Sequence, residues 1–340
     1  MNIVYHSSDG FADITGVSIV SLLENNKQTE DISLFYISKD LTNENKLIIK
    51  NLVNEYGATI EFIDMPNWSE KFNVQLSTTL KRWLGYGYNR LFITELLPEN
   101  IKRVIYLDSD TVIEGSLKEI WEMDLDGYYE AAVDDCLSKK YRKMVHLSNE
   151  GTYCNSGMLV LNLEKFRQDN VIQVFLDFIN LHKGFFVYNE QTILNSVFEN
   201  KIKILPLKYN VYTLVYALEY EQLMKLRMPY NYSYSKDEYE QAKANPVLTH
   251  YTGCFLVNQR PWVEGSRHPH VSAYLKYKDM TPWANKPLRK DTRSKFDIIC
   301  SSVVTCLPRG VVIAVAGMLY NNLRPFLFKA RERKHLKGLK

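Results

Sequence analysis

Val104-Ile105-Tyr106-Leu107-Asp108-Ser109-Asp110 is an apolar run of β-forming residues that ends in two carboxylates. A strand alternates its faces with period two, so Asp108 and Asp110 project to the same side beyond its carboxyl end. Two carboxylates held that close repel each other unless a cation lies between them. Hard divalent ions such as Mn²⁺ and Mg²⁺ take oxygen ligands of this kind and share them with substrate phosphates. An Asp-x-Asp after a strand also reads as a turn in which Asp accepts local backbone hydrogen bonds. The company this motif keeps favours the metal.

Residues 2–6 read as a buried strand, and Ile14 to Leu23 carry apolar residues at helical spacing. Ile32 to Ile37 and Thr59 to Ile63 are further strands on either side of a helix from Leu41 to Tyr56, with Gly57 where a helix stop belongs. Strands alternating with helices imply βαβ units and a mostly parallel sheet, so the fold class is α/β. In such sheets ligands bind beyond the carboxyl ends of the strands. Asp9, after the first strand, and Asp108 and Asp110, after the fourth, are therefore expected in one crevice. Helices are expected over 164–182 and 190–199, and a late strand from Pro246 to Tyr251. No Gly-x-Gly-x-x-Gly follows the first strand and no Gly-Lys-Ser/Thr loop occurs, which argues against dinucleotide dehydrogenases and P-loop phosphotransferases.

The chain of 340 residues can bury one large core or two ordinary ones. Its five cysteines (Cys136, Cys154, Cys254, Cys300 and Cys306) are odd in number and scattered, which suggests a reduced, cytoplasmic protein and not a disulfide or zinc framework. Met1 enters a strand directly, so no signal peptide is expected. Net charge is +3, but residues from Lys286 onward carry 13 Lys/Arg against 3 Asp/Glu. That segregation marks the basic part as a distinct segment and does not indicate a nucleic-acid surface.

Four segments line up with the carboxylate pair. Tyr153-Cys154-Asn155-Ser156-Gly157 is a polar turn running into the apolar strand Met158 to Leu163. Asn189-Glu190-Gln191 opens a helix with polar groups at its amino end. His250-Tyr251-Thr252-Gly253 offers an imidazole at a strand end, and Gln259-Arg260-Pro261-Trp262 sets a cation beside an aromatic platform. In this order and spacing, from Met1 to about Trp262, the chain resembles the retaining nucleotide-sugar glycosyltransferases of family 8, the group that includes lipooligosaccharide galactosyltransferases and glycogenin.

The resemblance implies a GT-A fold, a Rossmann-like nucleotide-sugar-binding sandwich, and transfer of glucose or galactose from a UDP-sugar to a lipid-linked or cell-surface glycan. It makes Asp108, Asp110 and His250 the ligands of Mn²⁺ or Mg²⁺. It assigns donor binding to Asp9, Arg90, Asp108, Ser109, Asn155, Gly253 and Arg260, and catalysis to Gln191, Asp134 and Glu190. Asp9 and the nearby main chain would hold uracil and ribose; Ser8 stands where close relatives often carry an acid. Glu190 replaces the usual Asp, and Arg260 replaces the usual Lys. A self-glycosylating, glycogenin-like enzyme and a non-catalytic nucleotide-sugar or lipid-binding module are the alternatives. His268-Pro269-His270, with no carboxylate beside it in sequence, reads as surface histidines.

The basic part contains two apolar stretches, Ile298 to Leu307 and Val311 to Tyr320, separated by Pro308-Arg309-Gly310. A spanning helix needs about 20 apolar residues. A central Arg costs roughly 2.5–3.5 kcal/mol there, and each half alone is too short. Lys286, Arg289, Lys290, Arg293 and Lys295 precede the stretches, and Arg324, Lys329, Arg331, Arg333, Lys334 and Lys337 follow. Such cations gain about 1 kcal/mol each beside anionic lipid. We therefore expect a catalytic domain over 1–283, with the donor site wholly inside it, and a membrane-associating segment over 284–340. The segment would lie on the inner face of the cell membrane.

Overall fold

A computed structural model describes all residues except 75–85, 149–150, 255, 258–259, 295–297, 299–303, 305 and 339–340. Gln259, Lys295 and Cys300, and most of the stretch from Ile298 to Leu307, fall outside the described residues. The other four cysteines are free thiols, three of them buried.

Strands β1 (Asn2–His6), β2 (Ser33–Ser38), β3 (Thr59–Asp64), β4 (Arg103–Leu107), β6 (Glu130–Asp134), β7 (Cys154–Asn162) and β8 (Ile202–Ile204) form one seven-stranded sheet. Its order is β3-β2-β1-β4-β7-β6-β8. The first four in that order run parallel, as the βαβ pattern requires, and β7 is antiparallel to both β4 and β6. Chain order reverses between β1 and β4, which opens the crevice where α/β sheets bind ligands. A second sheet has the order β5-β10-β9, built from β5 (Thr111–Ile113), β9 (Val211–Tyr212) and β10 (Leu248–His250).

Alternation along the central strands divides the core in two. Ile3, Tyr5, Ile105 and Leu107 face one hydrophobic layer, and Val4, Val104 and Tyr106 face another with Trp68, Phe92, Phe166 and Phe198. Helix α1 (Ala12–Asn25) is buried almost all round, as expected of a helix between layers. Its serines pin the two sheets together. Ser18 bonds to Tyr5 (3.0 Å) and Thr111 (2.9 Å), and Ser21 Oγ accepts from Ile113 N at 2.9 Å. Helix α2 (Asn43–Glu55) is capped by Thr42, and Gly57 stops it at φ +71°.

The expected helix over 164–182 divides into Leu163–Gln168 and Val171–Leu181, because Asn170 takes a left-handed conformation (φ 47°) that Asn tolerates. The larger difference lies after Pro308. Arg309 begins a helix with Pro308 as its N-cap, proline being acceptable where a helix has no amide to lose. A helix runs from Arg309 through a π-turn at Leu319–Leu323 to Gly338. By length and composition Arg309–Lys337 could cross a membrane. One face of it is buried at Val312, Ile313, Gly317 and Asn321. There Gly317 meets the Tyr220–Arg227 helix closely, its Cβ position 3.4 Å from Lys225 O.

Gly16 of α1 lies against Trp283, where an added Cβ would be 2.4 Å from the ring. Gly16→Leu should cost about 1–3 kcal/mol through overpacking. Urea denaturation checks this, and an unchanged midpoint would show that Trp283 is free to swing away.

Candidate active site

The register of the small sheet brings the third candidate ligand to the first two. His250 pairs with Thr111 across β10 and β5, and Tyr251 N donates to Asp110 O at 2.9 Å. His250 Nε2 therefore lies 3.2 Å from Asp110 Oδ1 and 3.7 Å from Asp108 Oδ2. Among the described residues these three form the one cluster of His, Cys, Asp or Glu that could hold a metal. The donor set is two carboxylates and one imidazole, which suits Mn²⁺ or Mg²⁺ shared with phosphate oxygens. His250 Nδ1 faces Asn210 Oδ1 at 3.2 Å, so the proton belongs on Nδ1 and the lone pair of Nε2 points at the carboxylates. Asn210 Nδ2 in turn donates to Asn155 Oδ1 at 2.9 Å.

Two arginines flank the carboxylates. Arg90, only 2 % exposed, donates to Asp108 Oδ1 at 2.7 Å and to Ser156 O, and stands over the Tyr106 ring. Arg260 donates to Asp110 Oδ2 at 2.7 Å. Burial alone would raise the Asp110 pKa, but His250 and Arg260 outweigh it and hold the carboxyl below its ordinary range. For His250, burial favours the neutral ring, yet Asp110 and Asp108 carry its pKa upward. His6, at the end of β1, has Nε2 4.0 Å from Asp108 Oδ1. Burial, reinforced by Arg90, holds the His6 pKa down to about 4.

These groups open into a cleft of about 520 Å³, also lined by Asn155, Glu190, Gln191 and Gly253. Gln191 is fixed at both ends of its amide. Its Oε1 accepts from Ser156 N (3.1 Å) and Ser156 Oγ (3.2 Å), and its Nε2 donates to Asp135 Oδ2 (3.0 Å). Glu190 is accommodated because residue 87 is glycine, where a Cβ would be 2.6 Å from its carboxylate.

A candidate cation site at the switch point of a GT-A-like sheet is joined by a sequence match along nearly the same span. The family model described as glycosyl transferase family 8 matches residues 2–264. The chain belongs to this family. General stress protein A of Bacillus subtilis is 28% identical over 286 residues, covering 83% of this chain and 94% of that protein. A lipopolysaccharide 1,2-glucosyltransferase of Escherichia coli is 27% identical over 297 residues, covering 85% of this chain and 81% of its own length. The crystal structure of the galactosyltransferase LgtC with donor and acceptor sugar analogs aligns with a TM-score of 0.69 at 21% identity, covering 84% of this chain and all of that one. That likeness confirms the fold.

Several motif residues of this family-8 chain are engaged within the protein itself. The Asp134 carboxylate faces Ser233, whose N and Oγ donate to it at 3.0 and 2.7 Å, and Cys136 N, at 2.8 Å. Burial lifts its pKa to about 6 despite these bonds. The neighbouring Asp135 is the acid that holds Gln191. Asp9 Oδ1 accepts from Thr42 N, Thr42 Oγ1 and Asn45 Nδ2, each at 2.8 Å, at the amino end of α2. Ser109 Oγ donates to His6 O at 2.7 Å, closing the floor between β1 and β4. His268 is buried, not at the surface, with Nε2 3.1 Å from Thr213 Oγ1. His270 does have a carboxylate, Glu114, at 2.8 Å, brought there by the fold and not by sequence.

Arg324, Phe328 and Arg331 of the carboxyl-terminal helix line the same cleft, so its walls extend beyond Trp283. Sequence spacing gave no sign of this, nor of Asn210.

Gly157 sits under the candidate ligand cluster, with its Cβ position 2.0 Å from the His250 ring. Gly157→Ala should displace the imidazole, and Asn210→Leu should release its orientation. Each should weaken Mn²⁺ binding by about 10–100-fold. Isothermal titration reads this directly, and wild-type affinity in both variants would remove His250 from the ligand set.

Proposed function

We propose that this chain is a divalent-metal-dependent, retaining hexosyltransferase that moves glucose or galactose from a UDP-sugar to a lipid-linked or cell-surface glycan. The observation that carries the reading is the Asp108, Asp110 and His250 cluster, placed between Arg90 and Arg260 at the mouth of the cleft. Breaking the bond between the sugar C1 and the β-phosphate oxygen leaves charge on the diphosphate. A bound Mn²⁺ or Mg²⁺ would supply Lewis-acid stabilisation of that charge. Arg260, partly exposed beside the cluster, adds a planar fork suited to phosphate oxygens.

The acceptor hydroxyl attacks C1 from the face that the diphosphate leaves. A new C1–O bond forms as the old one breaks, and the hydroxyl proton passes to the departing phosphate oxygen. Gln191 is held as a positioning residue, because its carbonyl oxygen already accepts two hydrogen bonds from Ser156. That engagement disfavours a double displacement through this side chain. Asn155 and Glu190 line the cleft and are proposed to meet the donor sugar, and the family resemblance assigns Asp9 to the nucleoside. The relatives named as lipopolysaccharide transferases support a lipid-linked glycan as acceptor.

A panel of UDP-sugars with Mn²⁺ tests the reading, because donor hydrolysis needs no acceptor. One hexose donor should release UDP, and Asp110→Ala should lower that rate by about 10²–10³-fold, the scale seen when charge stabilisation is removed. Full rate in the variant, or no hydrolysis of any UDP-hexose by the wild type, would exclude it. Self-glycosylation would instead raise the mass of the chain itself in hexose steps.

The basic end is proposed to rest on anionic lipid, with Lys329, Arg331, Arg333, Lys334 and Lys337 as contacts. Binding to phosphatidylglycerol vesicles should weaken as salt shrinks the screening length below about 10 Å. Retention through high salt and alkaline carbonate would mean that the helix spans the bilayer.

A further inference from the structure

Beside the first cleft lies a second cavity of about 570 Å³, and the two share Asn155, Tyr188, Thr252, Gly253 and Arg324. Its inner end contains Asp135, the acid bonded to Gln191. One wall belongs to the carboxyl-terminal helix. Leu319, Leu323 and Leu327 recur every fourth residue along that wall, and all three are largely exposed despite being apolar. Tyr212, Leu214 and Leu226 of the catalytic core form the opposite wall.

The charge in this cavity has one sign to spare. Arg227 donates to Tyr320 Oη and stacks on that ring at 4.6 Å, but its Nε is buried with no hydrogen-bond partner. Arg324 packs over Tyr188, Tyr320 and Phe328 at 5.3–5.7 Å. Among the described residues neither arginine has a carboxylate within ion-pair distance. Asp135 is the one carboxylate on the cavity wall against these two guanidinium groups, so the lining is net positive and favours an anion. Guanidinium forks match phosphate oxygens.

We infer that the carboxyl-terminal helix and the catalytic core together form the acceptor site, and that it takes a saccharide joined through phosphate to a hydrocarbon lipid. The phosphate lies between Arg227 and Arg324. The hydrocarbon follows Leu319, Leu323 and Leu327 outward, and the sugar end points past Asp135 toward Gln191. This rests on the transferase reading, since it needs a donor sugar in the adjoining cleft. UDP-sugar hydrolysis by the wild type tests that reading separately, because it proceeds without an acceptor.

Farnesyl phosphate is a minimal probe, with farnesol as the uncharged control, both titrated calorimetrically into the full chain. Farnesyl phosphate should bind at least tenfold more tightly than farnesol. Arg324→Glu and Leu323→Asp, both at exposed positions that need not disturb folding, should each weaken it at least tenfold. Phe326→Asp, at a 68% exposed position that does not line the cavity, should leave the affinity unchanged. Equal affinity for the two probes would overturn the inference. So would a loss in Phe326→Asp as large as that in Leu323→Asp, which would place the probe on the outer, membrane-like face of the helix.

Discussion

Asp108 and Asp110 are two like charges whose oxygens approach the same imidazole nitrogen, an arrangement that survives only because cations surround it. Arg90 neutralises one acid from within the core, and Arg260 neutralises the other from the cleft side. Much of the surrounding structure serves that compensation. Tyr106 backs Arg90, the Ser156 carbonyl accepts from it, and the pairing of β10 with β5 sets His250 between the carboxylates. Each partner comes from a different part of the chain, so the site exists only when both sheets are assembled.

The strand before Asp108 and the βαβ alternation were legible because period two and period 3.6 are local properties of sequence. Thus β1, α1, β2, α2 and β3 fall where apolar spacing puts them, with Gly57 at the stop. The acid beside Gln191 is harder to read. Asp134 and Asp135 are adjacent, and a shift of one residue sends a side chain to the opposite face. The pairing of β6 with β7 is irregular between Ala131 and Val133, so strict alternation does not say which of them faces the site. Asn210 carries no motif at all. Its role comes only from the tertiary approach of His250.

Pro308-Arg309-Gly310 shows a different limit. The same three residues disfavour the middle of a helix and favour its beginning, and local sequence does not say which applies. What settles the matter is Gly317, which lets the helix come within contact of the Tyr220–Arg227 backbone, and Asn321, which bonds to Leu226 O and to Ser138. A segment read as an appendage is thereby joined to the catalytic core.

Arg90 gives the fold a thermodynamic memory of its ligand. It is a core residue by burial and a site residue by its bond to Asp108, so any charge brought to Asp108 is felt inside the hydrophobic layer formed by Val104, Tyr106 and Phe92. Whatever binds the folded carboxylates and not the unfolded chain adds to stability by mass action. Resistance to heat or protease is thus an intrinsic gauge of site occupancy, and the unliganded protein is the more perishable form.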